Sequence, residues 1–339
     1  MKFPRVLFVI LTSLLCAQSA PSWADRGYRL VPLDDGHANT TAFDLNRRGE
    51  VVGTRTVAGQ THAFRWRAGT FTDLHATIDP NSSYTQAAGI NDFSVIVGDE
   101  LVGEDFRGFL LRGAQVSPIT AAGSQVFPFD INNRGQMIVD SGSTSYLIDG
   151  DNVQQLEGLP GEADTMHALA INERGVIAGN TGTSAGTRAV LWQDGAIMNL
   201  GVVAGATGSF VYDLNDRSQV VGIVSIGISS HAMRWQNGTM TLLPALVNEA
   251  ASSPASIDNW GVIVGSTSVS LPTFHRTATL WWGNHVVELD SLVRADDPLK
   301  PFVHLQSAEQ INDRGDIVVA GVDSRTNARI TYFMTLFDN

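Results

Sequence analysis

One cysteine in 339 residues, Cys16, and two lysines, Lys2 and Lys300, are the scarcest chemistry in this chain. A lone cysteine closes no disulfide and ligates no zinc by itself, so neither a disulfide framework nor a cysteine-zinc domain is available. The eight histidines are scattered, and no His-Glu-x-x-His pattern occurs, which removes the helix-borne zinc hydrolases. Glycine-rich stretches at 179–186 and 201–208 do not end in Gly-Lys-Ser/Thr or open a helix, so no phosphate-cradling loop is expected. Nor is there an apolar run of the ~20 residues needed to span a bilayer. Basic residues number 22 against 34 acidic ones, a balance that disfavours non-specific binding to nucleic acid. What the chain has is 43% hydrophobic residues, enough for a sizeable core and against disorder.

Its start has the form of an export signal. Lys2 and Arg5 precede an apolar run, Val6 to Leu15, and Ser22-Trp23-Ala24 offers a small-x-small cleavage site. Residues 1–24 are therefore expected to be a secretory signal, because a cut after Ala20 would place Pro21 behind the scissile bond. Ser13-Leu14-Leu15 lacks the small residue required before a lipidated cysteine, so Cys16 reads as an apolar residue of the signal. The mature chain, 25–339, would keep 20 basic and all 34 acidic residues, no cysteine and the single lysine Lys300. Its stability would rest on its core alone, and its place would be the periplasm or the extracellular medium.

The mature part repeats. FDLNRRGEVVG (43–53), AGINDFSVIVG (88–98), FDINNRGQMIV (129–139), LAINERGVIAG (169–179), YDLNDRSQVVG (212–222), ASIDNWGVIVG (255–265) and EQINDRGDIVV (309–319) align on Asn46, Asn91, Asn132, Asn172, Asn215, Asp258 and Asn312. A recurrence of this kind means one supersecondary unit per repeat. Apolar residues flank each turn without helical spacing, as in strands. Asn bonds its own backbone two residues on and Gly tolerates positive φ, which makes N-x-x-G a turn between two strands. Later in the unit come HAFRWRAGTFTDL (62–74), RAVLWQDGAIMNL (188–200), HAMRWQNGTMTLL (231–243) and TATLWWGNHVVEL (277–289), each read as a third strand, a short turn and a fourth.

Seven four-stranded units predict an all-β seven-bladed β-propeller occupying 25–339 as a single domain. An open solenoid, the other array built from such units, requires distinctive end caps. The termini favour a closed ring: YRLVPLD (28–34) resembles an orphan fourth strand, and the seventh unit ends at its third strand, RITYFMTLFDN (329–339). The N-terminal strand is expected to complete the last blade and so remove two exposed edges.

The A-x-x-I-N-x-x-G-x-V-V-G pattern followed by His62-Ala63-Phe64 resembles the bacterial extracellular HAF repeats over essentially the whole mature chain. Unit 3 (STSYLIDG, 143–150) departs from it by losing His-Ala-Phe, and units 2 and 7 lack the Trp. The resemblance implies export from a bacterium and transfers no catalytic residue.

Several residues invite a chemical reading. Asp44, Asp130 and Asp213 share the slot two before the turn Asn, on the strand expected innermost. Facing the channel they would hold a cation or act as paired glycosidase carboxylates; the alternative is hydrogen bonding between blades, because buried carboxylates must be satisfied. The slot four before the Trp holds His62, Arg107, Thr144, Arg188, His231, Thr277 and Thr331, with Arg276 beside Thr277. His62, Arg107, Arg188, His231 and Arg276 would make a ligand-binding polar ring for carboxylates, or caps bonded to the next blade. Gly182-Thr183-Ser184-Ala185-Gly186 spells G-x-S-x-G but lies between two strands, without the strand-to-helix elbow that exposes a nucleophile. Asp149-Gly150-Asp151-Asn152 sits where other units make a turn, so no calcium loop, metal or cofactor is expected.

Units 6 and 7 stand further apart than the others, and the extra stretch LVRADDPLKPFVHLQS (292–307) is either a plug for the closing blade or a lid over the face carrying His62, Arg188 and His231. Function is expected to be that of an exported binding or scaffold module for a glycan, an anionic small molecule or a protein, acting as a monomer without a membrane anchor. A glycan hydrolase or lyase using the channel or face carboxylates is the alternative.

Overall fold

The computed structural model describes residues 27–33, 39–120, 125–162, 166–269 and 275–336; the expected signal, with Cys16, lies outside them. Blade 1 consists of Thr40–Leu45, Glu50–Val57, Gln60–Arg67 and Thr70–Asp73, antiparallel in that order. Five blades repeat this order from first strands Thr85–Ile90, Phe127–Ile131, Met166–Ile171, Ala206–Leu214 and Ala251–Ile257. Blade 7 takes three strands, Val303–Ile311, Ile317–Asp323 and Ala328–Leu336, from the end of the chain and its fourth, Tyr28–Pro32, from the start. The molecule is a seven-bladed β-propeller closed by its N-terminal strand.

That closure reproduces the bonding of the other blades. The backbone N–H that ends the fourth strand donates to the carbonyl of the third-strand residue after the His slot: Leu74 to Ala63, Leu200 to Ala189, Leu243 to Ala232, at 2.8–2.9 Å. Leu33 donates to Thr331 in the same way, at 2.8 Å. Thr331 is thus the counterpart of Ala63, and the slot assigned to it by sequence belongs to Ile330. The register agrees, since Ile317 pairs with Met334 as Val51 pairs with Trp66. Without His-Ala-Phe or Trp in unit 7, nothing in the sequence marked this shift of one residue.

Each first strand carries a β-bulge two to four residues before the turn, as at Ala42/Asp44 and Val211/Asp213. A bulge re-aims the side chains that follow it, and here it sends the residue two before the Asn against the next blade. The core lies between blades: one buried cluster joins Ala170, Ala178 and Leu191 of blade 4 to Val211, Val220 and Trp235 of blade 5. Trp66, Trp192, Trp235 and Trp281 are buried, and two of them tie the preceding blade's exit, Trp192 Nε1 to the Glu157 carbonyl and Trp281 Nε1 to that of Pro244.

The expected insertion divides. Val303–Ser307 belongs to the first strand of blade 7, while Leu289–Leu292 is a short helix. Between them the chain runs along the N-terminal strand: Val293 bridges to Tyr28, the Arg294 N–H donates to the Tyr28 carbonyl, and the Leu30 N–H donates to Asp297 Oδ2 at 3.0 Å. It seals the outer edge of the closing blade. Among the described residues no helix is long and apolar enough to cross a membrane.

Candidate functional site

The seven turns, with Gly or, in units 2 and 5, a positive-φ Ser at the fourth place, build one face of the disc around the channel mouth. In each, Asn Oδ1 accepts the backbone N–H groups two and four residues on, at 2.8–3.1 Å, as Asn46 does from Arg48 and Glu50. The Asn amide then crosses to the next blade. Nδ2 of Asn46, Asn91, Asn132, Asn172 and Asn215 donates to the carbonyl of the following unit's Asn or Asp, and Asn312 returns to Asn46, all at 2.9–3.1 Å. Asp258 cannot donate in this way while ionised, and its Oδ2 is buried with no partner. The residue's carboxyl is pushed up to about 7, chiefly by burial.

One residue further on, Arg47, Asp92, Asn133, Glu173, Asp216, Asn259 and Asp313 line the mouth, a funnel of about 670 Å³ including its open side. The Arg47 N–H donates to Asp92, Asp92 to Asn133, and so on round to Asn259 and Asp313, at 2.7–3.1 Å. Arg47 lays its guanidinium among the acids, with Nε 2.6 Å from Asp313, Nη2 3.4 Å from Asp216 and Nη1 3.8 Å from Asp92.

A second residue further, every side chain is exposed: Arg48, Phe93, Arg134, Arg174, Arg217, Trp260 and Arg314. Several reach over the following turn. Arg174 Nη2 donates to Ser218 Oγ, and a Cβ on Gly175 would stand 2.8 Å from Arg134 Nη2. Glycine there, at φ 78°, answers both a left-handed backbone and a close neighbour. Phe93 and Trp260 are each 65% exposed. The x-x positions of the repeat carried this pattern in plain view, as RR, DF, NR, ER, DR, NW and DR, but it emerges only when those columns are compared instead of the constant Asn and Gly.

Asp44 and Asp130 line the channel below the mouth, and they and Asp213 are held by backbone amides. Oδ1 of each accepts the N–H of its own next residue, and Oδ2 accepts that of Ile90, Ile171 or Ile257 in the next blade, at 2.7–2.9 Å. Burial raises all three to about 7, with mutual repulsion adding to it. Gly89, Ala170 and Ser256 stand in the same slot in the intervening blades, leaving room for each carboxylate.

His62, Arg107, Arg188 and His231 lie at the start of third strands, towards the opposite face, one to a blade. Arg188 caps blade 5, donating from Nη1 to the Thr207 carbonyl. His62 bonds Asp73 through Nδ1 at 2.8 Å and stacks on His75 at 3.9 Å. Burial, then His62, lowers the His75 pKa. Arg276 borders a separate hollow with His275 and Arg329. Ser184 of the G-x-S-x-G stretch sits in an exposed loop bonded to Glu162, and Asp149-Gly150 is a turn between strands. Among the described residues no group of three or more His, Cys, Asp or Glu is arranged to hold a metal ion.

No protein-family model and no curated protein matches the chain in sequence. Solved structures match its fold. A virginiamycin B lyase from Staphylococcus aureus is 11% identical at a TM-score of 0.59, the alignment covering 91% of this chain and 99% of that one. YCF48 bound to D1 peptide is 12% identical at 0.54, covering 92% and 97%. The extracellular domain of a one-component system from B. thetaiotaomicron is 11% identical at 0.52, covering 90% of this chain and 40% of that one. At these identities the likeness is one of fold.

Proposed function

We propose that this chain is an exported HAF-type repeat protein that works as a binding module through the face made by its seven turns. The observation that carries the reading is the outer ring of that face. Phe93 and Trp260 stand 65% exposed among five arginines, on turns whose backbone amides are already taken by the turn's own Asn or Asp and by the next blade. Exposed aromatics and arginines on a rigid frame are what binding surfaces concentrate, and here they cost the fold nothing, because the Asn ring below them holds the blades. YCF48, a structural neighbour, is a propeller solved with a peptide bound. The signal-like start supports export.

The alternative, a glycan hydrolase or lyase, needs a carboxylate free to take or give a proton in an open cleft. Asp44, Asp130 and Asp213 each accept at least two backbone amides, which supports the binding reading over it. The test is retention of material from a periplasmic extract on immobilised mature protein. The variant Phe93→Ser with Arg134→Glu and Arg174→Glu should lose the retained fraction, while His231→Ala with Arg276→Ala on the opposite face keeps it. Loss in the second variant alone, or turnover of a glycan abolished by Asp44→Asn, would overturn the reading.

A further inference from the structure

Within the turn face, one hollow combines a bare aromatic plane with fixed polar groups. Trp260, Arg217, Asn259, Asp216, Asp313 and Arg47 enclose about 800 Å³ including the open side, the scale of a small-molecule site. Trp260 donates its Nε1–H to the Asp313 carbonyl at 3.1 Å. The polar edge of the indole is thereby satisfied and oriented, and what it offers outward is its apolar face.

The charges around that plane select the ligand. An anion would meet the Asp216 and Asp313 carboxylates. A cation would compete with Arg47, whose guanidinium already bridges the same two groups at 3.4 and 2.6 Å. Asn259 Nδ2 ties both carboxylates together, at 2.7 and 3.0 Å, so they are fixed in place. A carboxylate oxygen has more lone pairs than these bonds use, and a guanidinium carries five N–H donors. The hollow therefore presents acceptors and donors side by side with little net charge, next to an apolar plane.

We propose that this hollow binds a neutral saccharide, one pyranose ring stacking its C–H face on Trp260 while its hydroxyls bond Asp216, Asp313 and Arg217. The proposal rests on the turn face being the binding surface, and names the class of ligand that one part of it takes.

The test is titration of mature protein with cellotetraose, maltotetraose, xylotetraose and N-acetylchitotetraose, followed by tryptophan emission, with trigalacturonate and spermidine as charged probes. Trp66, Trp192, Trp235 and Trp281 are buried and Trp282 is half-buried, so a saturable change is assigned to Trp260 by its absence in the Trp260→Ala variant. At least one neutral tetrasaccharide should bind, and Trp260→Ala should weaken it roughly tenfold or more, as loss of a central aromatic anchor does. Trp260→Phe should restore part of the affinity, measured for both variants by calorimetry. The side chain is largely exposed, so an unchanged melting temperature will show that the variants are folded. The proposal is overturned if all four neutral sugars fail to bind, if binding survives Trp260→Ala, or if only trigalacturonate or spermidine binds. If the sugars fail while the Phe93, Arg134 and Arg174 variant still loses its retained fraction, the saccharide is wrong and the binding face stands. Sugar binding lost in Trp260→Ala, with extract retention unaffected by that triple variant, would keep the saccharide site and remove the wider binding face.

Discussion

Asp258 occupies the one place in the Asn ring where a donor is missing. Six amides link each blade to the next, and at the seventh step Oδ2 of Asp258, an acceptor, is buried without a partner. An unmet buried acceptor costs about 1–3 kcal/mol, and a new hydrogen bond contributes about 1 kcal/mol. Asp258→Asn should therefore raise the melting temperature by about 2–4 °C, and the gain should depend on pH. With a folded pKa of about 7 against an ordinary 3.8, Asp258 holds its proton in the fold and can then act as a donor itself. The rise should be largest at pH 8 and shrink towards pH 5. A variant that melts lower than wild type at pH 8 would show that the carboxylate has a purpose the ring does not explain.

At the scale of elements, the closing strand and its clasp make separable contributions. Tyr28 is fully buried, its hydroxyl donates to the Gly315 carbonyl at 2.9 Å, and Leu33 completes the blade's repeat bond. Removing residues 25–34 would expose the long edge of Ala328–Leu336 and should lower the melting temperature by 10 °C or more, or drive the protein into aggregates; wild-type melting would refute closure. Asp297, buried, accepts the Leu30 and Leu299 N–H groups. Asp297→Ala leaves both amides unmet and should cost about 2 kcal/mol, read as a shifted midpoint in urea unfolding with unchanged slope. Within a blade, a Cβ on Gly222 would lie 1.8 Å from the Phe210 carbonyl oxygen. Gly222→Ala should destabilise by more than the ~1 kcal/mol typical of point changes, whereas Gly227→Ala, which meets no neighbour, should cost only the ~1–2 kcal/mol of placing Ala at its φ of 60°.

Across the whole molecule, burial raises Asp44, Asp99, Asp130, Asp213, Asp258 and Glu309 to about 7. A raised carboxyl binds its proton more tightly folded than unfolded, so its contribution is full below about pH 4 and is lost as pH rises through 7. Glu50, Asp73, Asp296 and Asp323 are shifted the other way, and His75 resists charging below its ordinary range. The six deeper groups should prevail, and calorimetry at constant ionic strength should find a higher melting temperature at pH 5.5 than at pH 8.5. The ring also has a global constraint of parity. Polar and small residues alternate two before the Asn, as Asp44, Gly89, Asp130, Ala170, Asp213 and Ser256, and seven blades leave Gln310 next to Asp44. An uncharged amide stands at that junction and donates to the Phe43 carbonyl at 2.7 Å, where another aspartate would have put two carboxylates side by side.

The amino-acid sequence by itself determined the blade count, the strand order and the closing strand, because each rests on local chemistry repeated seven times: Asn and Gly at a turn, apolar alternation beside it, an unpaired strand at each end. It left open whether Asp44, Asp130 and Asp213 were free carboxylates or bonds between blades, and whether 292–307 was a plug or a lid. Those choices depend on which backbone amides arrive from another blade, some 40 or more residues away, and on a bulge that no residue type announces. The repeat's variable columns held Arg47, Phe93, Arg134, Arg174, Arg217 and Trp260 all along. Only curvature into a ring brings those columns onto one face and turns seven separate dipeptides into a mouth, a rim and a hollow beside Trp260.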